Sequence, residues 1–104
     1  MQAKFISAIH SNNKVRLTFY SKQDVGLLVR TCAPMDYGPS RRAIADKSDR
    51  FHFWDYESDT KNHSLSLSPS QIKSIEVLGE TFDPADFVTW SPNWFIARDW
   101  GTYS

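Results

Sequence analysis

An internal disulfide bond is excluded, because the 104 residues contain a single cysteine, Cys32. Small secreted domains depend on disulfides, so one lone thiol favours a reducing compartment. The N-terminal stretch lacks the apolar core and the small-residue cleavage site of a signal peptide. No apolar run approaches the roughly 20 residues that a membrane-spanning helix needs. We therefore expect a soluble, cytoplasmic protein without membrane contact.

Excess charge is also lacking, since 12 basic residues are balanced by 12 acidic residues. A protein that binds nucleic acid over its whole surface would be basic, so this balance allows only a local basic patch. The three histidines, His10, His52 and His63, have no Cys or His partner at the spacing of a zinc site. We expect no bound metal and no cofactor.

Catalytic motifs are missing as well. Cys32 lies in an apolar stretch, where a thiol is most often a small core residue and not a nucleophile. The alternating serines that follow residue 63 form no nucleophile elbow; they are Ser64, Ser66, Ser68 and Ser70. We therefore expect that the protein is not an enzyme.

What the chain does contain is rings and regular alternation. Aromatic residues make up 14% of the chain and hydrophobic residues 40%, which is typical of one packed domain. Residues 3–10 place Phe5, Ile6 and Ile9 at helical spacing and predict a short helix. Alternation then predicts a mainly β fold, a small five-stranded bent antiparallel sheet or partly open barrel. The predicted strands are 14–20, 25–33, 50–58, 63–68 and 72–78.

Proline and glycine mark the expected ends of two strands. We expect Pro34 to end the second strand and Gly79 to end the fifth, with Val77 or Leu78 buried just before it. A turn is predicted at residues 21–24. Residues 34–50 are predicted to form a long loop, with room for one helical turn from Ala43 to Asp46.

The third predicted strand, within RFHFWDYES, carries rings on both of its faces. Phe51 and Phe53 share one face, and His52, Trp54 and Tyr56 share the other. Phe51 and Phe53 are expected to fill the core. The second row of rings has two interpretations: it stacks nucleic-acid bases, or it is covered by the rings of the C-terminal tail.

The C-terminal tail, Glu80 to Ser104, is unusually rich in large rings and shows no period. So many rings do not remain in water, so the tail wraps the domain or packs against a partner. In the first case we expect Trp54 and Tyr56 to contact Trp90 or Trp94. The large rings of the tail are Phe82, Phe87, Trp90, Trp94, Phe95 and Trp100.

Arginines supply the candidate ligand contacts. Arg41 and Arg42 lie in the predicted loop, where two guanidinium forks suit a phosphate group; the alternative is a solvated loop. Arg30 lies inside an apolar strand, where an unpaired charge is costly. It therefore contacts a ligand or forms a structural ion pair with an acid such as Asp55.

The order of these elements resembles the WYL domain, a small Sm-like or SH3-like β-barrel of many bacterial transcription regulators. Phe19 stands where that family has a tyrosine, residues 51–53 stand at its Trp-Tyr-Leu signature, and His63 stands at an arginine. The resemblance covers about residues 5–82. The stretches that carry it are Ala8-Ile9, Val15 to Phe19, VRTCAP at 29–34, FHFWDYE at 51–57, HSLSLSPSQIKSI at 63–75 and residues 79–82.

The resemblance implies a stand-alone β-barrel domain at 1–82, since the chain has no room for the family's helix-turn-helix, followed by an aromatic extension at 83–104. Such domains sense a ligand, either a nucleotide or single-stranded nucleic acid, and modulate a transcription or defence partner. The ligand-binding residues that we expect are Arg30, Arg41, Arg42, Arg16, His52 and His63. The alternative is a protein-interaction or homodimer-forming module that uses the tail and the sheet edges as its interface.

Overall fold

The fold is mainly β. The structure, a computed structural model, describes residues 1–22, 25–42 and 44–104. In these ranges one α-helix, α1 (Gln2–Ser11), precedes five strands, and three short 3₁₀ helices lie at Pro69–Gln71, Pro84–Asp86 and Gly101–Tyr103. The strands are β1 (Asn13–Ser21), β2 (Gly26–Pro39), β3 (Asp49–Asp55), β4 (Ser64–Leu67) and β5 (Ile72–Thr81).

The five strands form one antiparallel sheet in the order β4-β3-β2-β1-β5. Within the described residues β4 pairs only with β3 and β5 only with β1, so the sheet does not close into a barrel. The predicted five-stranded antiparallel sheet is confirmed in its open form.

The core lies between one face of the sheet and α1. Phe5 of the helix meets Phe51 and Phe53 of β3 edge to face, with ring centroids 5.0 and 5.1 Å apart. These three rings are at most 2% exposed, so the predicted inward face of the ring-rich strand is confirmed. The helix ends at Asn12, which adopts a left-handed conformation (φ 57°) that asparagine tolerates well.

Strand β2 continues past Pro34, and the prediction that this proline ends the strand is wrong. The register shifts between Pro34 and Asp36, which marks a bulge. Proline is tolerated at a bulge because one residue there is left out of the hydrogen-bond ladder. Strand β2 therefore takes up residues 34–39 of the predicted loop, and Asp49 and Arg50 belong to β3. Ala43, the first residue of the predicted helical turn, and the centre of the predicted turn at 21–24 lie outside the described residues, and residues 44–46 are not helical.

Strand β5 also runs further than predicted, because Gly79 lies inside it and does not end it. Val77 is 41% exposed and Leu78 is half-buried, so the expectation that one of them is buried is also wrong. Strand β5 is an edge strand of the described sheet, and none of its side chains beyond Ile75 is buried.

The C-terminal tail completes the core. Phe87, Val88 and Trp100 are at most 5% exposed and belong to the same hydrophobic cluster as α1 and the sheet. The indole Nε1 of Trp100 donates a hydrogen bond of 3.1 Å to the backbone oxygen of Ile9. Residues 83–104 therefore pack on the sheet and the helix. Phe87 and Trp100 are buried there, Trp94 and Tyr103 are half-buried, and Trp90 and Phe95 stay exposed.

Candidate ligand-binding cleft

A cleft of about 530 Å³ opens between the face of the sheet that points away from the core and the tail segment 90–95. Its floor is polar, because Asp36 of β2, His52 of β3 and Ser66 of β4 lie side by side in register. The bulge at Pro34 brings Asp36 to this face, since the side chains of β2 change sides there. We call this feature the outer cleft.

The tail is fixed over the sheet by the carboxylate of Asp36. Its two oxygens accept hydrogen bonds from the backbone N–H groups of Phe95 (3.0 Å) and Ile96 (3.1 Å) and from Arg98 (3.1 Å). Asp36 is 6% exposed, so these donors replace the water that the carboxylate loses on burial. One buried side chain thus sets the position of the outer wall of the cleft.

Arg98, in the tail, forms an ion pair with Asp36. Its guanidinium is fully buried and lies between Trp94 and Trp100, 4.2 and 4.4 Å from the two ring centroids. It also donates to the backbone oxygen of Met35. Burial lowers the pKa of Arg98 to about 10, and the ion pair with Asp36 opposes that effect. The guanidinium thus remains charged at neutral pH and neutralises Asp36.

Close approach of the tail depends on a glycine. A Cβ atom at Gly38 would lie 2.5 Å from Cδ2 and 2.7 Å from Cγ of the Phe95 ring. These distances are far below van der Waals contact, so no other residue fits here unless Phe95 moves. Gly38 thus permits the ring to sit directly on β2.

Two predicted ligand residues, Arg41 and Arg42, lie at the rim of the outer cleft. Arg41 is held in place, since it donates to the backbone oxygen of Asn93 and its guanidinium lies 3.9 Å from the centroid of the Phe95 ring. Arg42 is exposed and has no hydrogen-bond or ion-pair partner among the residues that the structure describes. Its full donor set faces solvent.

His52, a third predicted ligand residue, belongs to the floor of the same cleft. Its Nε2 lies 2.9 Å from the backbone oxygen of Gly38. A carbonyl oxygen only accepts, so Nε2 carries the proton of this bond. In the neutral ring Nδ1 is then an acceptor, which is available to a ligand donor.

The other three predicted ligand residues lie elsewhere. Arg30 forms an ion pair with Asp55 at 3.8 Å, the structural alternative expected from the sequence, and lines a different cleft. Arg16 pairs with Glu76 at 3.1 Å on the exposed surface. His63 is bonded through Nδ1 to the backbone oxygen of Asp55 at 2.7 Å. The six predicted residues therefore do not form one site.

The covering of the second row of rings differs from the prediction. Trp54 stacks on His63 and on Phe87, with centroid distances of 4.9 and 5.7 Å, and not on Trp90 or Trp94.

Tyr56 is covered by Lys14 of β1 and Asp86 of the tail. Lys14 lies 4.5 Å from the ring centroid of Tyr56, and the Tyr56 hydroxyl contacts Asp86 at 3.5 Å. Burial and the nearby Asp86 raise the pKa of this phenol above its ordinary value. The tail therefore covers both rings, but with an earlier part of its sequence than expected.

Trp90 lies in the outer cleft, although the sequence did not predict it as a ligand contact. It lines the cleft, is 46% exposed and meets Trp94 edge to face at 5.9 Å. The irregular ring pattern of the tail gave no signal for which ring stays exposed. Asn62, Ser64 and Asn93 also line the cleft and were not predicted, because no local sequence pattern places them close to Asp36 and His52.

Neither a metal site nor a membrane-spanning helix is found in the described ranges. No three His, Cys, Asp or Glu side chains of residues 1–22, 25–42 and 44–104 are grouped so that they could hold a metal ion. In the same ranges no helix has both the length and the apolar character needed to cross a bilayer.

The chain matches no protein-family model, no curated protein and no solved structure. The resemblance to the WYL domain therefore stays a prediction from the sequence.

Proposed function

We propose that the chain is a non-enzymatic ligand-binding module whose outer cleft holds a nucleotide or a short single strand of nucleic acid. The observation that carries the proposal is the meeting of two arginines, one exposed indole and a polar strand floor around a single cleft. Its volume, about 530 Å³, lies within the range of roughly 300–1,000 Å³ that is usual for small-molecule sites.

In this proposal Arg41 and Arg42 bind a phosphate group of the ligand. Guanidinium groups present paired N–H donors that match two phosphate oxygens. Arg42 has its donors free among the described residues, and Arg41 is already oriented by Phe95 and Asn93, so little side-chain entropy is lost on binding. Among the described residues that line the cleft, Asp36 is the only acidic one, and Arg98 neutralises it.

In this proposal Trp90 stacks on a base of the ligand. Its exposed indole offers a flat surface on which a base of any sequence stacks, with about 1–3 kcal/mol per base. The neighbouring polar groups supply the edge contacts: Nδ1 of His52 accepts, and the hydroxyls of Ser64 and Ser66 both donate and accept. A phosphate at the rim and a base over the tail wall therefore find complementary groups in one cleft.

The regulatory part of the proposal is that ligand binding alters a partner of transcription or defence type. It follows from the resemblance to the WYL domain and from the build of the cleft. One wall is the tail segment 90–95, which the sheet holds through Asp36. A ligand that contacts both walls would strengthen the packing of the tail on the sheet. A partner that binds the tail would then respond to whether the outer cleft is occupied.

The test is a fluorescence anisotropy titration of labelled single-stranded DNA and RNA at low salt. We expect Arg42→Ala to weaken binding about tenfold and to reduce the slope of log K against log salt by about one. We expect Trp90→Ala to weaken binding by about 1–3 kcal/mol with no change in that slope.

Lys73→Ala is the matched control, because it also removes one positive charge but from an exposed position on β5, outside the outer cleft. Absence of binding by the wild-type chain at low salt would contradict the proposal. Equal losses for Lys73→Ala and Arg42→Ala would show that only the total charge matters.

One observation favours the alternative, a protein-interaction module. Tyr20, Leu27 and Val29 are 52%, 44% and 55% exposed on β1 and β2. Tyr20 pairs with Leu27 in the ladder, and Val29 pairs with Thr18, two residues before Tyr20 on β1, so the three side chains share one face. Light scattering distinguishes the candidates, because an interface here gives a concentration-dependent dimer that Leu27→Ser removes without affecting nucleic-acid binding.

A further inference from the structure

A second cleft, of about 470 Å³, lies on the core-facing side of the open sheet, between the β1–β2 hairpin and the β3–β4 connection. We call it the inner cleft. Its apolar wall includes Leu28, Leu65 and Leu67, and its polar part contains the ion pair of Arg30 and Asp55. Arg30 faces this side because it pairs directly with Leu17, whose side chain is in the core.

The carboxylate of Asp55 is buried, at 4% exposure, yet incompletely used. Oδ1 accepts a hydrogen bond of 2.9 Å from the backbone N–H of Glu57. Oδ2 is 3.8 Å from Nε of Arg30, which is an ion-pair distance but too long for a hydrogen bond. Burial raises the pKa of Asp55 above its ordinary value, which reflects this poor solvation.

The guanidinium of Arg30 is likewise only partly used. Its NH1 group donates 2.9 Å to the backbone oxygen of Glu57, and within the described part of the chain its NH2 group has no hydrogen-bond acceptor. Every fully buried side-chain nitrogen or oxygen in that part has a hydrogen-bond partner. The unused oxygen of Asp55 and the unused N–H groups of Arg30 are therefore reachable from the cleft.

An unused acceptor thus lies beside an unused donor, both against an apolar wall. We propose that the inner cleft binds a planar lactam edge, a ring carbonyl next to a ring N–H, of which guanine is the fullest example. The guanidinium of Arg30 donates to the carbonyl oxygen, and the carboxylate of Asp55 accepts from the ring N–H and from the adjacent amino group. The ring packs on Leu28 and Leu65.

Other ligand chemistries fit the pair less well. A free phosphate is repelled by Asp55 and a simple cation by Arg30. Adenine offers a single amino group to the carboxylate and a ring nitrogen to the guanidinium, so it makes two hydrogen bonds where guanine makes three. A site built for a hydrogen-bonding edge rejects the analogue that leaves its buried groups unpaired.

This proposal does not rest on the function of the outer cleft. The two clefts share Asn62, Ser64 and Leu65 as a common border, but none of the arginines is shared. Variants of one arginine set therefore leave the other site intact, and the failure of one proposal is separable from the failure of the other.

The experiment is isothermal titration calorimetry with guanosine, adenosine and 1-methylguanosine, whose methyl group replaces the ring N–H. Nucleosides are used because they carry no phosphate for Arg41 and Arg42. We expect guanosine to bind at least about tenfold more tightly than either analogue. Arg42→Ala should leave this preference unchanged, and Asp55→Asn should abolish it.

Equal binding of guanosine and adenosine, no measurable binding of guanosine, or an unchanged preference in Asp55→Asn would overturn the proposal. Asp55→Asn alters a buried group and could impair folding, so a second measurement uses the wild-type protein. In ¹H–¹⁵N spectra guanosine should shift the Arg30 Nε–H signal and the amides of Thr31 and Glu57. Shifts confined to Asn93 and Ser66 would place the nucleoside in the outer cleft and refute the assignment.

Discussion

Two glycines inside strands differ in whether a larger side chain would fit in their place. Gly38 and Gly79 both lie inside strands, β2 and β5. A Cβ at Gly38 would overlap the ring of Phe95, whereas a Cβ at Gly79 would find nothing within 4 Å. The first glycine is required by a close contact between the sheet and the tail, and the second is tolerated at an open edge.

Gly38→Ala should therefore destabilise the fold by about 1–3 kcal/mol, because the added methyl group forces Phe95 off the sheet. Urea denaturation measures the change in the free energy of unfolding. The displacement of Phe95 also removes the ring on which Arg41 rests, so we expect weaker single-strand binding in the same variant.

Gly79→Ala is the matched control and should change the free energy of unfolding by less than about 1 kcal/mol, with a small gain from the stiffer unfolded chain. Equal destabilisation by the two substitutions would mean that strand conformation, and not contact with Phe95, is the cause.

At the scale of elements, the tail and β2 are joined by one buried ion pair, Asp36 with Arg98. The guanidinium is completely buried between Trp94 and Trp100, and the carboxylate also bonds the backbone of the tail. Removing one partner of such a pair leaves an uncompensated buried charge, which is more costly than the loss of the attraction itself.

We expect Arg98→Ala to lower the free energy of unfolding by about 3–5 kcal/mol, because it leaves the buried carboxylate of Asp36 without a positively charged partner. Arg16→Ala tests the same type of substitution at the exposed pair with Glu76 and should cost at most about 1 kcal/mol. Thermal unfolding followed by circular dichroism compares the two. A loss for Arg98→Ala no larger than that for Arg16→Ala would show that the tail is held by its rings alone.

The elements that local pattern determines were predicted correctly. α1, β1 and β3 bury Ile9, Leu17 and Phe53 as their periodicity indicates, because helix and strand spacing alone decide which side chains share a face. The course of β2 was not predicted, because a bulge after Pro34 depends on pairing with β3 and not on the residues of β2 themselves.

The candidate site was predicted in part for similar reasons. Residue type identified Arg41, Arg42 and His52, which share the outer cleft. It also grouped Arg30 with them, but pairing opposite Leu17 turns that side chain to the other face of the sheet. The pairing of Asp36 with Arg98 joins residues 62 positions apart, and no local pattern indicates such a contact.

At the scale of the whole molecule, the sheet, α1 and the tail share one core, so protonation of a buried core group affects global stability. Cys32 is fully buried next to Val15 in the ladder. Burial, and after it the charges of Asp55 and Glu57, raise the pKa of the thiol above its ordinary value of 9.0. The folded protein therefore keeps this proton at pH values where the unfolded chain releases it.

The sign of the resulting pH dependence follows from proton counts. Above pH 9 the unfolded state binds fewer protons than the folded state, so the free energy of unfolding falls as pH rises. The stabilising contribution is complete below pH 9, and its loss approaches about 1.4 kcal/mol per pH unit for this one group. Arg98 has a pKa of about 10 in the folded protein, so above pH 10 its titration raises the free energy of unfolding as pH rises. The pH range for measuring the Cys32 contribution therefore ends at pH 10.

Urea denaturation of the wild-type chain and of Cys32→Ala between pH 7.5 and pH 10 isolates this contribution, because every other titrating group is common to both. Cys32→Ala should be less stable at pH 7.5, since it leaves a small cavity whose cost does not depend on pH. The difference between the two proteins should then shrink by about 1 kcal/mol at pH 10, because only the wild-type chain gains a thiolate on unfolding. A constant difference across the window would mean that Cys32 titrates alike in both states, and that the core around it admits water.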